Sequence, residues 1–230
     1  MTSNELPAVE SVIRRRDAIR TRIASVADPD GVEITAVTKA FPPEIIEDAG
    51  AAGFSASGEN YAQELRTKVG VLDRLSERGA RPRVDFIGQL QTNKVRQLVG
   101  VVDRWCTVDR PSLAKELAKR AEGAEVLIQV DTTGETGKGG CPLDDCPDLV
   151  ERCRESGLRV IGLLSVGPTV GGPEAGRAGF SAVVTLADEL DLPVRSLGMT
   201  HDLEVAIGCG STNVRIGTAL FGQRPVSADS

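Results

Sequence analysis

A repeated alternation of strand-like and helix-like segments most constrains the fold of this chain. Eight short runs rich in β-forming residues lie at 34–39, 54–60, 83–88, 104–110, 125–131, 159–166, 193–199 and 213–222. Helical patterns lie between them, and most of these patterns stop at a glycine, which is a common C-terminal cap. Strands and helices that alternate along one chain predict a parallel sheet covered by helices.

The spacing of these units decides between two parallel architectures. The strand starts run from residue 34 to residue 213, which gives about 26 residues per unit, close to the spacing in a (β/α)8 barrel. An open doubly wound sheet normally carries a G-x-G-x-x-G turn after its first strand, and "TKAFPPE" contains none. We therefore predict an α/β fold, a single (β/α)8 TIM-type barrel with an extra N-terminal helix.

The barrel uses the whole chain, which predicts one domain over residues 1–230. We expect the N-terminal helix at about 4–27, the barrel at about 33–223 and a short tail at 224–230. Arg14, Arg15 and Arg16 lie on the helical pattern, and a charge run of this kind is typical of a solvated helix face.

Composition excludes several classes of function. The formal net charge is −6 and no basic run exceeds three residues, so no nucleic-acid surface is expected. No apolar stretch approaches the length of a membrane span and no export signal is present, which predicts a soluble cytoplasmic protein. The five cysteines fit reduced thiols. The spacing of Cys141, Cys146 and Cys153 matches no zinc pattern, so no metal site is expected.

Lys39 ends the first predicted strand, at the end of the barrel where such folds carry their active residues. Its neighbours Ala36 and Val37 are apolar, and loss of hydration there favours the neutral form of the amine. A neutral lysine amine attacks carbonyl groups and forms a Schiff base. The alternative is a lysine that extends past the strand end into solvent.

The last two strands supply a candidate phosphate site. Gly217 and Thr218 end the eighth strand before a helix-compatible segment, and Ser196 and Gly198 lie at the seventh. Glycine lets a phosphate approach backbone amides, and barrels often bind phosphate at these two strands, although each glycine can also mark a tight turn. A carbonyl-seeking lysine opposite a phosphate cradle suits pyridoxal 5′-phosphate (PLP), and it also suits a sugar-phosphate aldolase.

Several long motifs carry a family resemblance. The segments "AVTK", "GENYAQE", "DFIGQLQTNK", "LIQVDTTGETGKGG", "SLGMTHDLEVAI" and "GSTNVRIGTALFG" strongly resemble the PLP-binding pyridoxal phosphate homeostasis proteins. The resemblance covers residues 34–222 in the same order. It implies a barrel like the N-terminal domain of alanine racemase, control of free PLP and of amino-acid and keto-acid balance, and no firmly assigned reaction.

The resemblance also implies roles for individual residues. Lys39 matches the lysine that forms the Schiff base, and Asn60 matches a residue beside the cofactor ring. Arg215 matches the arginine that faces the pyridine nitrogen. Ser165 is a weaker match, to a residue of the pocket wall. The residues that match the phosphate cradle are Ser196, Gly198, Met199, Gly217 and Thr218.

The chain departs from the family pattern at four positions. Asp85 stands where the family often has histidine, and Thr38 stands where serine commonly precedes the lysine. Thr200 and His201 replace a serine and a variable residue. We expect these changes to affect the rim of the pocket and to leave cofactor binding intact.

An arginine at the pyridine nitrogen favours holding PLP over strong catalysis. A guanidinium only donates hydrogen bonds and stays charged, so its partner nitrogen stays unprotonated and draws electrons weakly. Two residues are candidates for a second base. We expect Tyr61 to pack at the start of a helix and His201 to lie at the surface. The sequence therefore predicts a monomeric carrier or buffer that passes PLP to apo-enzymes. A racemase-like enzyme and a Schiff-base aldolase are the alternatives.

Overall fold

The structure is a computed structural model that describes residues 8–223 of the chain, and these residues form a closed parallel barrel. Its strands are β1 (Glu33–Val37), β2 (Ala56–Glu59), β3 (Arg83–Phe86), β4 (Arg104–Val108), β5 (Glu125–Asp131), β6 (Arg159–Ser165), β7 (Val194–Leu197) and β8 (Asn213–Ile216). Neighbouring strands pair in parallel, β4 pairs with β5, and β8 pairs with β1 to complete the ring. The predicted (β/α)8 barrel is confirmed. The doubly wound alternative is wrong, because these eight strands leave no free edge.

Helices surround the barrel in the predicted alternation. They are α1 (Val9–Ala24), α2 (Ile45–Ala51), α3 (Ala62–Glu77), α4 (Pro111–Arg120), α5 (Cys146–Glu155), α6 (Arg177–Glu189), α7 (Leu203–Gly208) and α8 (Thr218–Phe221). Between the third and fourth predicted strands, the helical pattern "TNKVRQLVG" forms only a short 3-10 helix, Thr92–Gln97, because its threonine, asparagine and valine are weak helix formers. The strand predicted at 213–222 divides into β8 and α8, because Gly217 leaves the extended conformation at φ −120° and ψ −84°.

The N-terminal helix α1 lies within its predicted range and packs against α2, α7 and α8. Predicted positions 4–7 and the predicted tail at 224–230 lie outside the described residues. The expected solvated arginine face is wrong for two of its three members. Arg15 Nη1 donates to the carbonyl of Leu220 at 2.9 Å, and Arg16 Nη1 donates to that of Ala52 at 2.5 Å. Carbonyls at helix ends lack helical partners, and these guanidinium groups satisfy them.

The sheet separates the buried hydrophobic residues into two clusters, one outside the barrel and one inside it. The large cluster contains outward-facing strand residues such as Ile34 and Ala36 together with the inner faces of the helices. A small second cluster inside the barrel consists of Cys106, Leu127 and Leu164. No helix within residues 8–223 is long and apolar enough to cross a bilayer.

Charged side chains fill the amino end of the barrel interior and form what we call the floor network: Glu33, Arg83, Asp85, Arg104 and Glu125. Arg83 donates to Glu33 at 2.9 Å and to Asp85 at 2.7 Å. Burial raises the pKa of Glu33, but the hydrogen bonds and charge of Arg83 outweigh it, so the pKa lies below its ordinary value. Asp85 is 2% exposed and belongs to this network, so the expectation that it affects the pocket rim is wrong.

Candidate functional site at the carboxyl end of the barrel

Lys39 lies in the turn that follows β1, two residues beyond the last strand residue, Val37. The side chain is half-buried, and the next residue, Ala40, has φ 61°, a conformation that residues other than glycine rarely adopt. Phe41 is buried and packs edge-on against Phe221 of α8, with the ring centroids 5.6 Å apart. The Lys39 turn is therefore fixed against the segment that follows β8.

A buried ionic cluster lies against this turn. Lys68 of α3 is fully buried, and its Nζ contacts Glu59 Oε1 at 2.7 Å and Glu64 Oε1 at 2.6 Å. Thr38 donates its hydroxyl to Glu59 at 2.6 Å. Burial raises the pKa of Glu59, and the charge of Lys68 offsets only part of this effect.

Sequence reasoning did not identify this cluster. Glu64 and Lys68 are four residues apart in "NYAQELRTK", a spacing that usually indicates an exposed helix pair. The absence of an apolar residue at position 68, on the face that buries Leu65 and Leu72, was the one available signal.

Asn60 follows β2 and carries an unsatisfied acceptor. Its Oδ1 is buried and has no hydrogen-bond partner among the described residues. The chain approaches closely here, since a Cβ on Gly88 would lie 2.0 Å from the Asn60 carbonyl oxygen. Asn60 also lines a cavity of about 440 Å³ together with Tyr61, Gln89 and Lys94. A buried acceptor beside an open cavity can receive a donor from a ligand.

Arg215 is a buried cation on β8. It donates to Ser196 O at 2.6 Å, Ser196 Oγ at 2.8 Å and Ser165 O at 2.9 Å. No carboxylate of the described residues lies within ion-pair distance of it, and loss of hydration lowers the pKa of Arg215 to about 10. The guanidinium therefore remains charged at neutral pH and is held mainly by carbonyl and hydroxyl oxygens.

The two serines predicted in the pocket have internal partners. Ser196 Oγ donates to Asn213 Oδ1 at 2.6 Å and also accepts from Arg215. Ser165 Oγ donates to Val130 O at 2.9 Å and contacts Thr132 Oγ1 at 3.1 Å. Both side chains are almost fully buried, so their hydroxyls fix the inner wall around Arg215.

Backbone turns bring the predicted cradle residues of β7 and β8 together. Gly198 has φ 89°, and a Cβ there would lie 2.5 Å from the Cβ of Ala206, so only glycine fits. The Gly198 carbonyl accepts from the Arg215 N–H at 3.1 Å. Met199 is 41% exposed, and its N–H donates to Asp202 at 2.6 Å. Gly217 is half-buried and Thr218 is exposed.

The residues present fit a flat, anionic cofactor with an aldehyde. The donor-only Arg215 suits an unprotonated ring nitrogen, and Asn60 Oδ1 suits a polar ring substituent. The glycines after β7 and β8 pack closely against the protein itself, since a Cβ at Gly198 would lie 2.5 Å from the Cβ of Ala206 and one at Gly217 would lie 3.3 Å from Val37. By contrast, no group of three or more histidine, cysteine or carboxylate side chains among residues 8–223 could hold a metal ion.

A loop at 132–140 borders the opposite side of the barrel mouth. Lys138 Nζ donates to the carbonyl of Gly167 at 2.6 Å and contacts Glu135 at 3.0 Å. Glu135 accepts from the N–H and the hydroxyl of Thr169 at 2.9 and 2.6 Å. A cavity of about 400 Å³ lies here, lined by Lys138, Met199 and the exposed His201, among others.

The two candidate second bases differ from their expected positions only in detail. Tyr61 precedes α3, as predicted for a helix start, but its side chain is 53% exposed. His201 is exposed in the loop after β7, as predicted. Neither side chain has a hydrogen-bond partner among residues 8–223 that would orient it as a base.

Comparison with known proteins identifies the relatives of this chain. The model of the family "Alanine racemase, N-terminal domain" matches residues 15–225. The pyridoxal phosphate homeostasis protein of Aquifex aeolicus is 39% identical over 203 residues, which are 84% of this chain and 87% of that protein. The protein of the same name from Escherichia coli K12 is 34% identical over 227 residues, which are 91% of this chain and 95% of that protein.

Solved structures agree with this assignment. A protein of unknown function from Bifidobacterium adolescentis superposes with a TM-score of 0.85 at 31% identity, covering 93% of this chain and 95% of that one. PipY of Synechococcus elongatus with PLP bound has a TM-score of 0.74 at 28% identity and covers 89% of this chain and 100% of its own. D-threo-3-hydroxyaspartate dehydratase from Delftia, at 20% identity, shares the fold alone. The chain belongs to the pyridoxal phosphate homeostasis proteins, within the family of the alanine racemase N-terminal domain.

Proposed function

We propose that this protein binds pyridoxal 5′-phosphate as a Schiff base on Lys39 and serves in PLP homeostasis. One observation carries this proposal. β1 and β8 pair in a register that sets Thr35 beside Arg215 and Ala36 beside Ile216, so the Lys39 turn lies next to Gly217 and Thr218. This register sets the Lys39 turn, the strand that carries Arg215 and the Gly217 turn at one edge of the mouth. The PLP-bound relative PipY supports PLP as the ligand.

The chemistry that Lys39 contributes is reversible condensation. Its neutral amine adds to the aldehyde carbon, a C=N bond forms, and one water molecule leaves. Bound PLP supplies an electrophilic carbon and an electron-accepting ring.

In this proposal, Arg215 keeps PLP binding from being coupled to strong catalysis. Its charge and its lack of an acceptor keep the facing ring nitrogen unprotonated, which weakens electron withdrawal through the ring. Ser196 and Ser165 hold Arg215 in place through their oxygens.

The remaining roles follow from position. Asn60 offers its unsatisfied Oδ1 beside the ring, and Ser165 lies in the pocket wall. The residues that we assign to the phosphate are Ser196, Gly198, Met199, Gly217 and Thr218. We assign no residue to catalysis and none to a metal.

The biological role that this site supports is that of a carrier. Residues 1–230 act as one barrel domain, monomeric and cytoplasmic, that shields the aldehyde from other amines. Apo-forms of PLP-dependent enzymes are the proposed partners, because the mouth of the described barrel carries exposed side chains such as Tyr61 and Met199. Nucleic acids and membranes are not partners.

Titration of apo-protein with PLP tests the proposal. Wild type should develop imine absorbance and turn yellow, and borohydride should fix the cofactor to the peptide that contains Lys39. Lys39→Ala should show neither effect. Attachment to another side chain, or no binding, would refute the assignment.

Transfer and exchange measurements separate the carrier from an enzyme. Loaded protein should activate an apo-enzyme faster than free release of PLP allows. Rapid exchange of the α-hydrogen of alanine in deuterated water would instead indicate a racemase-like activity. A colourless protein that cleaves sugar phosphates would indicate an aldolase.

A further inference from the structure

We propose that Glu64 and Lys68 of α3 are positioning residues for Lys39, because they hold the two peptide groups that flank it. This inference rests on the proposed function of Lys39. It assigns a role to a cluster that forms no hydrogen bond or ion pair with Asn60, with Arg215 or with the residues assigned to the phosphate.

The contacts on the two sides of Lys39 are direct. Before it, the Thr38 carbonyl accepts from Lys68 Nζ at 2.8 Å, and the Thr38 N–H donates to Gly58 O at 3.1 Å. After it, the Ala40 N–H donates to Glu64 Oε1 at 2.6 Å. One helix therefore fixes the main chain on both sides of the reactive lysine.

The backbone conformation shows why support is needed. Ala40 has φ 61°, which costs conformational energy for a residue with a side chain. Such a conformation persists where surrounding contacts over-determine it. The Glu64 carboxylate binds the N–H of this same residue and supplies such a contact.

Burial of the cluster argues for a specific role. The side chains of Lys68 and Glu59 are 0% exposed, and that of Glu64 is 22% exposed. Moving ions out of water often costs more free energy than their mutual attraction supplies. An apolar trio of similar shape in place of Glu59, Glu64 and Lys68 is therefore often at least as stabilising. The directional contacts to Thr38 and Ala40 are what an apolar trio would not provide.

Fixing the turn matters because a lysine side chain is long and flexible. An attacking amine gains effective concentration when its attachment point is held in a productive geometry. Loosening the turn would spread the amine over more positions without altering its chemistry. We therefore expect weaker cofactor capture with an unchanged imine spectrum at saturation.

Three variants test this role. Glu64→Ala removes the acceptor for the Ala40 N–H and should weaken PLP binding about tenfold to a hundredfold, the equivalent of one hydrogen bond to a charged group. Glu64→Gln retains an acceptor oxygen and should recover most of the affinity. Leu117→Ala, in the buried face of α4, is the stability control, because it removes core packing without touching the turn.

The readouts separate positioning from general destabilisation and from failure of the proposed function. Affinity is measured by imine absorbance and attachment by borohydride capture and peptide mapping, with melting temperature measured in parallel. If wild type binds through Lys39 and Glu64→Ala binds equally well, only the positioning role is overturned. Equal weakening in Leu117→Ala at a similar loss of melting temperature also overturns it. If wild type does not bind through Lys39, both proposals fail.

A second variant covers the case in which Glu64→Ala does not fold. Lys68→Met combined with Glu59→Gln removes the cation that holds the Thr38 carbonyl and leaves no unpaired charge at Glu59. Weakened PLP binding in this folded double variant supports the role, and wild-type affinity overturns it.

Discussion

Two glutamate–lysine clamps hold the loops on opposite sides of the barrel mouth. The inner clamp consists of Glu64 and Lys68, and the outer clamp consists of Glu135 and Lys138. In each clamp the glutamate accepts from a backbone N–H, at Ala40 or Thr169, and the lysine donates to a backbone carbonyl. The chain thus uses the same arrangement of contacts in two places.

Burial distinguishes the two clamps. The two lysines differ most: Lys68 is 0% exposed and its partner Glu64 is 22% exposed, whereas the side chains of Lys138 and Glu135 are 20% and 30% exposed. Water and salt reach both ions of the outer clamp, so it can open at little cost, while the fully buried Lys68 cannot exchange its partners for water without opening the structure. The comparison predicts that the turn around Lys39 is held more firmly than the loop at 132–140 on the other side of the mouth.

The largest difference is expected when the lysine of each clamp becomes methionine. Lys68→Met leaves Glu59 and Glu64 without their cation and should lower the free energy of unfolding by about 3–5 kcal/mol. Lys138→Met should lower it by about 1 kcal/mol or less. Urea denaturation followed by circular dichroism measures both. Similar losses would contradict the distinction by burial.

A smaller difference is expected at the threonine that donates to each cluster. Thr38 Oγ1 donates to the buried Glu59 at 2.6 Å, and Thr169 Oγ1 donates to Glu135 at 2.6 Å. Thr38→Val removes one of the two donors to Glu59 Oε1 and the partner of the buried Ser57 hydroxyl, and it should cost about 1–3 kcal/mol, whereas water can replace the Thr169 hydroxyl in Thr169→Val. The same denaturation experiment applies, and a larger loss in Thr169→Val would reverse the comparison.

Acid should release the outer clamp. Hydrogen bonds from Thr169 lower the pKa of Glu135 to about 2, from an ordinary value of 4.5. The stabilisation from this shift is fully present above the ordinary value and is lost as the pH falls towards 2. Hydrogen-exchange protection of residues 133–140 should therefore decline over this range. Glu135→Gln, as the control, should flatten the dependence.

Glu59, the buried carboxylate that pairs with Lys68 of the inner clamp, should respond to pH in the opposite sense. Burial raises the pKa of Glu59, so this carboxylate takes up a proton before Glu135 does as the pH falls. The penalty of its buried charge is present above the raised pKa and is relieved below it. Carboxyl-carbon NMR titration of labelled glutamates gives the order directly, and protonation of Glu135 first would contradict it.

The smallest effect is expected from salt. Raising the ionic strength shortens the screening length from about 10 Å at 0.1 M to about 3 Å at 1 M. Exchange protection around the outer clamp should fall slightly, and protection of the Ala40 N–H should not change. A salt-sensitive Ala40 N–H would show that water reaches the inner clamp.

Much of the fold could be predicted because its signals are local. The run at 125–131 matches β5 at both ends, and Glu33–Val37 differs from its predicted strand by one or two residues at each end. Glycine after the helical patterns marked most helix ends. The placement of Lys39, Gly198 and Gly217 at the mouth followed from these boundaries.

The support for the site could not be predicted in the same way. Glu64 and Lys68 have the spacing of a solvated pair, and Asp85 was placed at the rim rather than in the floor network. The partner of each charge comes from another element, and neither its identity nor its burial can be read from neighbouring residues.

By itself, the sequence determined the order of strands and helices and which side chains end the strands, because periodicity and capping act over a few residues. Tertiary structure alone decided which charges lose their water and which backbone groups they hold. The strength of an ionic contact depends on the dielectric around it, and that is created by elements far apart in the chain. For this reason two similar glutamate–lysine pairs differ in burial: the lysine of the inner clamp is fully buried, and the lysine of the outer clamp is partly exposed to water.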